Sequence, residues 1–255
     1  TKANFQLDGT LVSAGILKDL KLPIKVMDDY FLGITTNSGA EGMGVYSEVA
    51  TFTNDLRLDG KGLQGKGSID FLTAHIESTS LTMLPDSIIG SAQVITNTPS
   101  DRRNTAGMDG INGAFVFRPS KEQLDLKTVQ NAFDFYGQEA RLSGIATVTK
   151  QGFSGMGTLA LKEASLSSDS FDFKMRNATS PSASFTLDGN RSKIAAFQTD
   201  DVQCDLDFED RLGVFTPNSG ETKIELPIQQ YICFMDRFRW YMDEDEIDLL
   251  SNRMQ

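Results

Sequence analysis

The sequence predicts an all-β fold of tandem antiparallel repeats, about ninety residues each, stacked into an elongated β-jellyroll or solenoid-like array. Three observations predict it. Two stretches match without a gap at a fixed offset, apolar residues alternate with period two, and turn-forming residues recur every 8–12 positions or so.

The match sets the organisation. Val45-Tyr46-Ser47-Glu48-Val49-Ala50, continuing to Gly62-Leu63-Gln64-Gly65-Lys66-Gly67-Ser68-Ile69, lies at an offset of 90 over Phe135-Tyr136-Gly137-Gln138-Glu139-Ala140 through Gly152-Phe153-Ser154-Gly155-Met156-Gly157-Thr158-Leu159. Leu81-Thr82-Met83 then falls over Phe171-Asp172-Phe173, and at an offset of 91 Phe115-Val116-Phe117 falls over Leu206-Asp207-Phe208. A weaker third copy starts near Tyr231, with Phe234 over Phe52 and Arg239 over Arg57 at an offset of 182. The expected organisation is the end of a preceding repeat at 1–44, repeats at 45–134 and 135–225, and a truncated or capping repeat at 226–255. The start at Thr1, close to the strand-like Asn4-Phe5-Gln6-Leu7, leads to the expectation of a piece of a longer polypeptide whose targeting signal lies elsewhere.

Strands follow from the alternation. Val202, Cys204, Leu206 and Phe208 alternate with Gln203, Asp205, Asp207 and Glu209, which assigns the first set to a core. Phe171 and Phe173, and Ala183, Phe185 and Leu187, repeat the pattern. Turns are expected at Asp8-Gly9, Asn37-Ser38-Gly39, Asp59-Gly60, Asp109-Gly110, Asp188-Gly189-Asn190 and Asn218-Ser219-Gly220. One helix candidate starts at Ser120, with Gln123 completing a capping box before Leu124, Val129 and Phe133. Gly60-Lys61-Gly62-Leu63-Gln64-Gly65 matches a dinucleotide loop formally, but Ser68-Ile69-Asp70-Phe71-Leu72 reads as a strand rather than the required helix.

Composition excludes several function classes. With 24 basic against 35 acidic residues, a net charge of −11 and no basic cluster, nucleic acid is not an expected partner. No run approaches the length of apolar residues that spans a bilayer. The single histidine, His75, becomes Ser165 in the second copy, and the two cysteines, Cys204 and Cys233, read as free thiols unless an oxidising compartment pairs them. Asn177-Ala178-Thr179 and Asn190-Arg191-Ser192 are formal glycosylation sequons.

Two clusters remain as candidate sites. Asp201, Asp205, Asp207 and Glu209 project from one strand face and offer the oxygen ligands calcium takes, as does the run Asp243-Glu244-Asp245-Glu246 with Asp248; the alternative is a solvated face that discourages edge pairing. Tyr231, Arg237, Arg239, Trp240 and Tyr241 are the candidate ligand contacts, since exposed aromatics stack on sugar rings; against that, Ile232, Phe234, Phe238, Trp240 and Met242 share one parity, which reads as core.

The glycine-punctuated copies, with the closing Leu226-Pro227-Ile228-Gln229-Gln230-Tyr231 to Trp240-Tyr241-Met242-Asp243 segment, resemble very large β-repeat proteins of the bacterial envelope, particularly in Bacteroidota. Ser168-Asp169-Ser170-Phe171-Asp172-Phe173 followed by Ala183-Ser184-Phe185-Thr186-Leu187 is similar to the open β-jellyroll repeats of periplasmic lipopolysaccharide-transport and lipid-bridge proteins. The resemblance implies a periplasmic or cell-surface location, an apolar trough, and neighbouring repeats or other envelope proteins as partners. The expected function is a non-catalytic structural or interaction module of a larger protein. A glycan- or lipid-binding β module is the alternative, and a carboxylate-dependent enzyme the second alternative.

Overall fold

The computed structural model describes residues 6–17, 20–26, 30–33, 42–189, 194–244 and 246–251. The turn expected at Asn37-Ser38-Gly39, the sequon at Asn190 and the acidic residue Asp245 lie outside them. The chain is all-β with antiparallel pairing, and no helix is long and apolar enough to cross a membrane.

By contacts it divides into two compact units. The first comprises Thr1–Thr98, Asp109–Asn131 and Thr147–Lys150. It holds strands β1 (Gln6–Leu11), β2 (Leu20–Val26), β3 (Tyr30–Gly33), β4 (Met43–Val45), β5 (Ala50–Asp59), β6 (Gly62–Phe71), β7 (Ala74–Met83), β8 (Ile88–Asn97), nearly all of β9 (Met108–Arg118), and β10 (Gln123–Lys127). Strands β1 to β3 pair in sequence, β3 and β4 both pair with β5, and β5 to β8 form a meander. Phe52, Ile69, Phe71, Ile76, Ile95, Phe115 and Phe117 fill its core, with the rings of Phe71 and Phe117 4.9 Å apart.

The second unit comprises Pro99–Met108, Ala132–Ala146 and Gln151–Gln255. It holds β11 (Phe133–Phe135), most of β12 (Ala140–Thr149), β13 (Phe153–Ala160), β14 (Ala164–Phe173), β15 (Asn177–Asp188), β16 (Ala195–Asp207), β17 (Leu212–Pro217), β18 (Thr222–Leu226), β19 (Tyr231–Met235), β20 (Arg237–Tyr241) and β21 (Glu246–Leu250). Its core is a run of rings: Phe135 on Phe173 at 4.2 Å, Phe185 on Phe215 at 4.6 Å, Phe215 on Phe238 at 4.4 Å, and Trp240 5.5 Å from Phe185. Full burial of each such side chain stabilises by roughly 1.5–3 kcal/mol before ordering costs.

Several local devices occur twice at the matching sequence spacing. Tyr46, at φ +53°, holds its hydroxyl 2.6 Å from the Leu84 carbonyl and 3.0 Å from that of Ser87. Tyr136, at φ +51°, does the same with Lys174 at 3.0 Å and Asn177 at 2.9 Å. Burial pushes both phenols well above the ordinary tyrosine range, helped by Asp86 at Tyr46 and by Asp172 and Asp205 at Tyr136. Each ring meets a phenylalanine, Phe117 at 6.2 Å and Phe208 at 3.9 Å respectively.

Gly67 and Gly157 mark β-bulges where only glycine fits. A Cβ on Gly67 would stand 1.8 Å from the Thr53 carbonyl oxygen, and one on Gly157 2.3 Å from that of Ser143. The register slips at these same points, between Gly65 and Gly67 and between Gly155 and Gly157. The Ser78 and Ser168 hydroxyls donate to the carbonyls of Ser91 and Ser182, and each hydroxyl oxygen accepts from a backbone N–H two residues on.

Three hairpins also share one register. Val45 pairs with Ala50 and Met43 with Phe52; Phe135 pairs with Ala140 and Phe133 with Leu142; Leu226 pairs with Tyr231 and Ile224 with Cys233. Pro227 stands in the third connection where Tyr46 and Tyr136 stand in the others.

Three expectations are corrected. The segment after Ser120 is not a helix: Pro119–Lys121 form one 3₁₀ turn, Glu122 turns left-handed at φ +47°, and the period-two residues Leu124 and Leu126 are buried from β10. Asp8-Gly9 and Asp109-Gly110 lie inside β1 and β9, where cross-strand pairing (Asp8 to Pro23) and continued alternation (Met108 and Gly110 inward) override the dipeptide. The stripe from Ile232 to Met242 is not one face. It breaks at Asp236, leaving Ile232 51% and Phe234 57% exposed while Phe238 and Trp240 are buried.

Candidate functional site

The hairpin between β16 and β17 lines part of a concavity in the second unit. Its turn is tight because the Asp207 carboxylate accepts the backbone N–H groups of Glu209 and Asp210, both at 2.8 Å, and Arg211 adopts φ +58°. The Arg211 carbonyl then accepts the Met242 N–H at 3.0 Å, fixing the guanidinium beside the end of β20.

There a cleft of about 560 Å³ opens, with Ala160, Leu161, Phe208, Trp240 and Met242 as its apolar wall and Gln138, Glu139, Arg141, Lys162 and Arg211 as its polar one. Arg211 grips Asp243 through two parallel contacts, Nε to Oδ2 at 2.9 Å and Nη2 to Oδ1 at 2.7 Å, and also pairs with Glu139. The bonds to Asp243 hold the guanidinium above its ordinary range, and Arg211 in turn holds the Asp243 carboxyl below the usual carboxylate range. Arg141 Nε lies 3.1 Å from Asp134. The cleft therefore presents locked planar donors and acceptors beside aromatic edges, an arrangement suited to holding a polar ligand of modest size.

Of the expected ligand contacts, Trp240 alone lines this cleft, and it is only 4% exposed. Arg237, Arg239 and Tyr241 occupy the opposite face of β20, with the Tyr241 hydroxyl donating to Asp248 at 2.9 Å. That bond to Asp248 is the main cause of the raised Tyr241 pKa. Tyr231 is 61% exposed on β19. The structure thus separates Trp240 from the other four.

Nor does it bring the four acidic residues together. The Asp201 carboxylate accepts from the Ser182 hydroxyl and the Asn218 amide, which lower its pKa, Asn218 foremost. Asp205 accepts from the Asn177 amide at 2.8 Å, Asp207 caps its own turn, and Glu209 pairs with Arg176. Alternate positions along a strand project about 6.5–7 Å apart, and each carboxylate has its own protein donor. Among the described residues, no group of three or more His, Cys, Asp or Glu side chains is placed to hold a metal.

Elsewhere, His75 Nδ1 lies 2.6 Å from Asp70, its cross-strand partner on β6, with Glu77 3.7 Å from Nε2. Cys204 is a buried free thiol, pushed up to about 12 chiefly by desolvation, and Cys233 is a half-buried one. Sequence reasoning missed Glu139, Lys162 and Arg211, which lie far apart in the chain; the Asp207-to-Arg211 turn was the one local signal. The chain matches no protein-family model, no curated protein and no solved structure.

Proposed function

We propose that the chain is a non-catalytic structural and interaction module, built of tandem β units at 45–134 and 135–225 with a shortened third at 226–255, within a larger envelope or surface protein of a bacterium. One observation carries this reading: what recurs between copies is architecture. The tyrosine hydroxyl set between two carbonyls, the glycine at the bulge, the serine across the strand gap and the hairpin register all recur. The chemically distinctive groups do not. His75 faces Ser165, Glu139 faces Val49, and Trp240 stands over Leu58 and Val148. Packing devices that recur while the reactive side chains vary support a scaffold reading. The envelope location rests on the resemblance, and the parent reading frame checks it by encoding further copies behind a signal sequence.

Screening the purified chain against glycans, esters and peptides tests the non-catalytic reading, with no turnover expected. Turnover abolished by Glu139→Gln or His75→Ala would overturn it.

A second reading, a glycan- or lipid-binding module, draws on the cleft beside Trp240 and Arg211. Calorimetric titration with oligosaccharides and with a lysophospholipid distinguishes the two ligands. Arg211→Met weakens genuine binding about tenfold through loss of the fixed donors.

A further inference from the structure

The third hairpin differs from the first two on its outward face. In β5 that face carries Thr51 and Thr53, and in β12 Arg141 and Ser143, as a solvated surface requires. At the matching positions β19 carries Ile232 and Phe234, both more than half exposed. The opposite face is apolar too: Tyr231 is 61% exposed where Ala50 and Ala140 are buried, and Cys233 and Met235 are half-buried.

The far edge differs as well. Strand β5 is flanked on one side by β4 and on the other by β6, which sets Asp70, Ile69 and Ser68 against Thr51, Phe52 and Thr53. Among the described residues β19 pairs with β18 alone. Natural edge strands are protected by charge, proline or a bulge, and Tyr231-Ile232-Cys233-Phe234-Met235 has none of these.

We infer that the outer edge of β19 pairs antiparallel with β19 of a second copy of this chain, forming a two-fold symmetric dimer through a continuous sheet. The occupant must be a short, uncharged strand, apolar on both faces and with a free edge, and β19 itself meets each requirement. Centred on Cys233, the pairing sets Ile232 against Phe234 and Tyr231 against Met235, apolar to apolar on each face. The pairing ends there, since Gln230 turns left-handed at φ +55° and the chain breaks at Asp236, so no charged residue lies within it. Electrostatics permit it despite the overall −11. Residues 222–241 hold Lys223, Arg237 and Arg239 against Glu225 and Asp236, a local charge of +1, so the contact itself is not acidic. This inference rests on reading the chain as an interaction module and names its partner.

Light scattering on the full chain at about 100 µM, a concentration that saturates a micromolar contact, is expected to give twice the 28.0 kDa chain mass. Phe234→Lys and Ile232→Lys each raise the dimer dissociation constant at least about tenfold and leave the Tm of the dilute chain unchanged, because both side chains are exposed in the single chain. A directly opposed Cys233 pair has Cα atoms about 4.5–5.5 Å apart, within disulfide reach. Copper(II) phenanthroline, which accepts the two electrons as both thiols lose their protons, is expected to link two chains in wild type and Cys204→Ser but not in Cys233→Ser. A monomer at this concentration, a dimer indifferent to both lysines, or linkage through Cys204 overturns the inference. Hydrogen-exchange protection, in a monomer, of the β19 amides that point away from β18 also overturns it, since it means another segment of the same chain occupies the edge. Loss of the dimer leaves the module reading intact, and turnover in the substrate screen would sink that reading without touching the dimer.

Discussion

The hairpins at Tyr136 and at Pro227 share a strand register and differ in the residue that opens the connection. Where tyrosine stands, its hydroxyl reaches across to the turn that joins β14 to β15, its ring stacks on Phe208, and Phe133, Phe135, Ala140 and Leu142 bury one face of its hairpin. Where proline stands, no side chain can make that reach, and β19 is left exposed on both faces. Register alone does not bury a hairpin. The phenol tethers its hairpin to a second one by donating to both carbonyls of that turn, one of which, Asn177, also accepts the Lys174 N–H.

The sharpest test of the contrast sets Phe52→Ala against Phe234→Ala. The first empties a fully buried position on a tethered hairpin and costs about 3–5 kcal/mol. The second trims an exposed ring and stays within about 0.5 kcal/mol in urea denaturation of the dilute chain. Equal losses would erase the distinction between the hairpins.

Alkaline titration is expected to show the next largest effect. Both tyrosines have a folded pKa raised above the unfolded value near 10. Their contribution is whole below pH 10 and is lost as pH rises toward the folded value, at up to about 1.4 kcal/mol per pH unit for each phenol. Stability curves at pH 9 to 11 should steepen for wild type and flatten for the Tyr46→Phe, Tyr136→Phe double variant; parallel curves would mean the phenols ionise as freely as in the unfolded chain.

At neutral pH, Tyr136→Phe alone removes the donor shared by the Lys174 and Asn177 carbonyls and lowers stability by about 1–2 kcal/mol in thermal or urea unfolding. Tyr231→Phe, on the untethered hairpin, should change nothing measurable. The smallest effect belongs to Asp201, an exposed carboxylate with a lowered pKa. Its contribution is present above the unfolded value near 4 and is lost as pH falls through the lower folded value, so Asp201→Asn should flatten the acid limb slightly in a pH series.

Much of this was legible in the sequence, within limits set by physics. Parity placed Val202, Cys204, Leu206 and Phe208 inward correctly because β16 keeps its alternation through that stretch, despite the left-handed residue Asp201 just before it. Parity failed from Tyr231 to Met242 because the chain breaks at Asp236. The third hairpin matches the first at an offset of 181 up to Cys233, whereas Phe238 and Trp240 match Leu56 and Leu58 at 182, and one added residue turns a strand over. By hairpin register it is Cys233, not Phe234, that stands where Phe52 does. The cleft was not legible, since Glu139, Lys162 and Arg211 meet through pairings between distant strands that no local pattern encodes.

The two tyrosine tethers also bear on the order in which the chain folds. Each closes a loop of 38 residues to one carbonyl and 41 to the other, wholly within its own copy. Closing a loop costs entropy that grows only with the logarithm of its length, so each tether can form soon after its second hairpin is made. During synthesis the Tyr46 tether can be complete before Tyr136 has any partner to find.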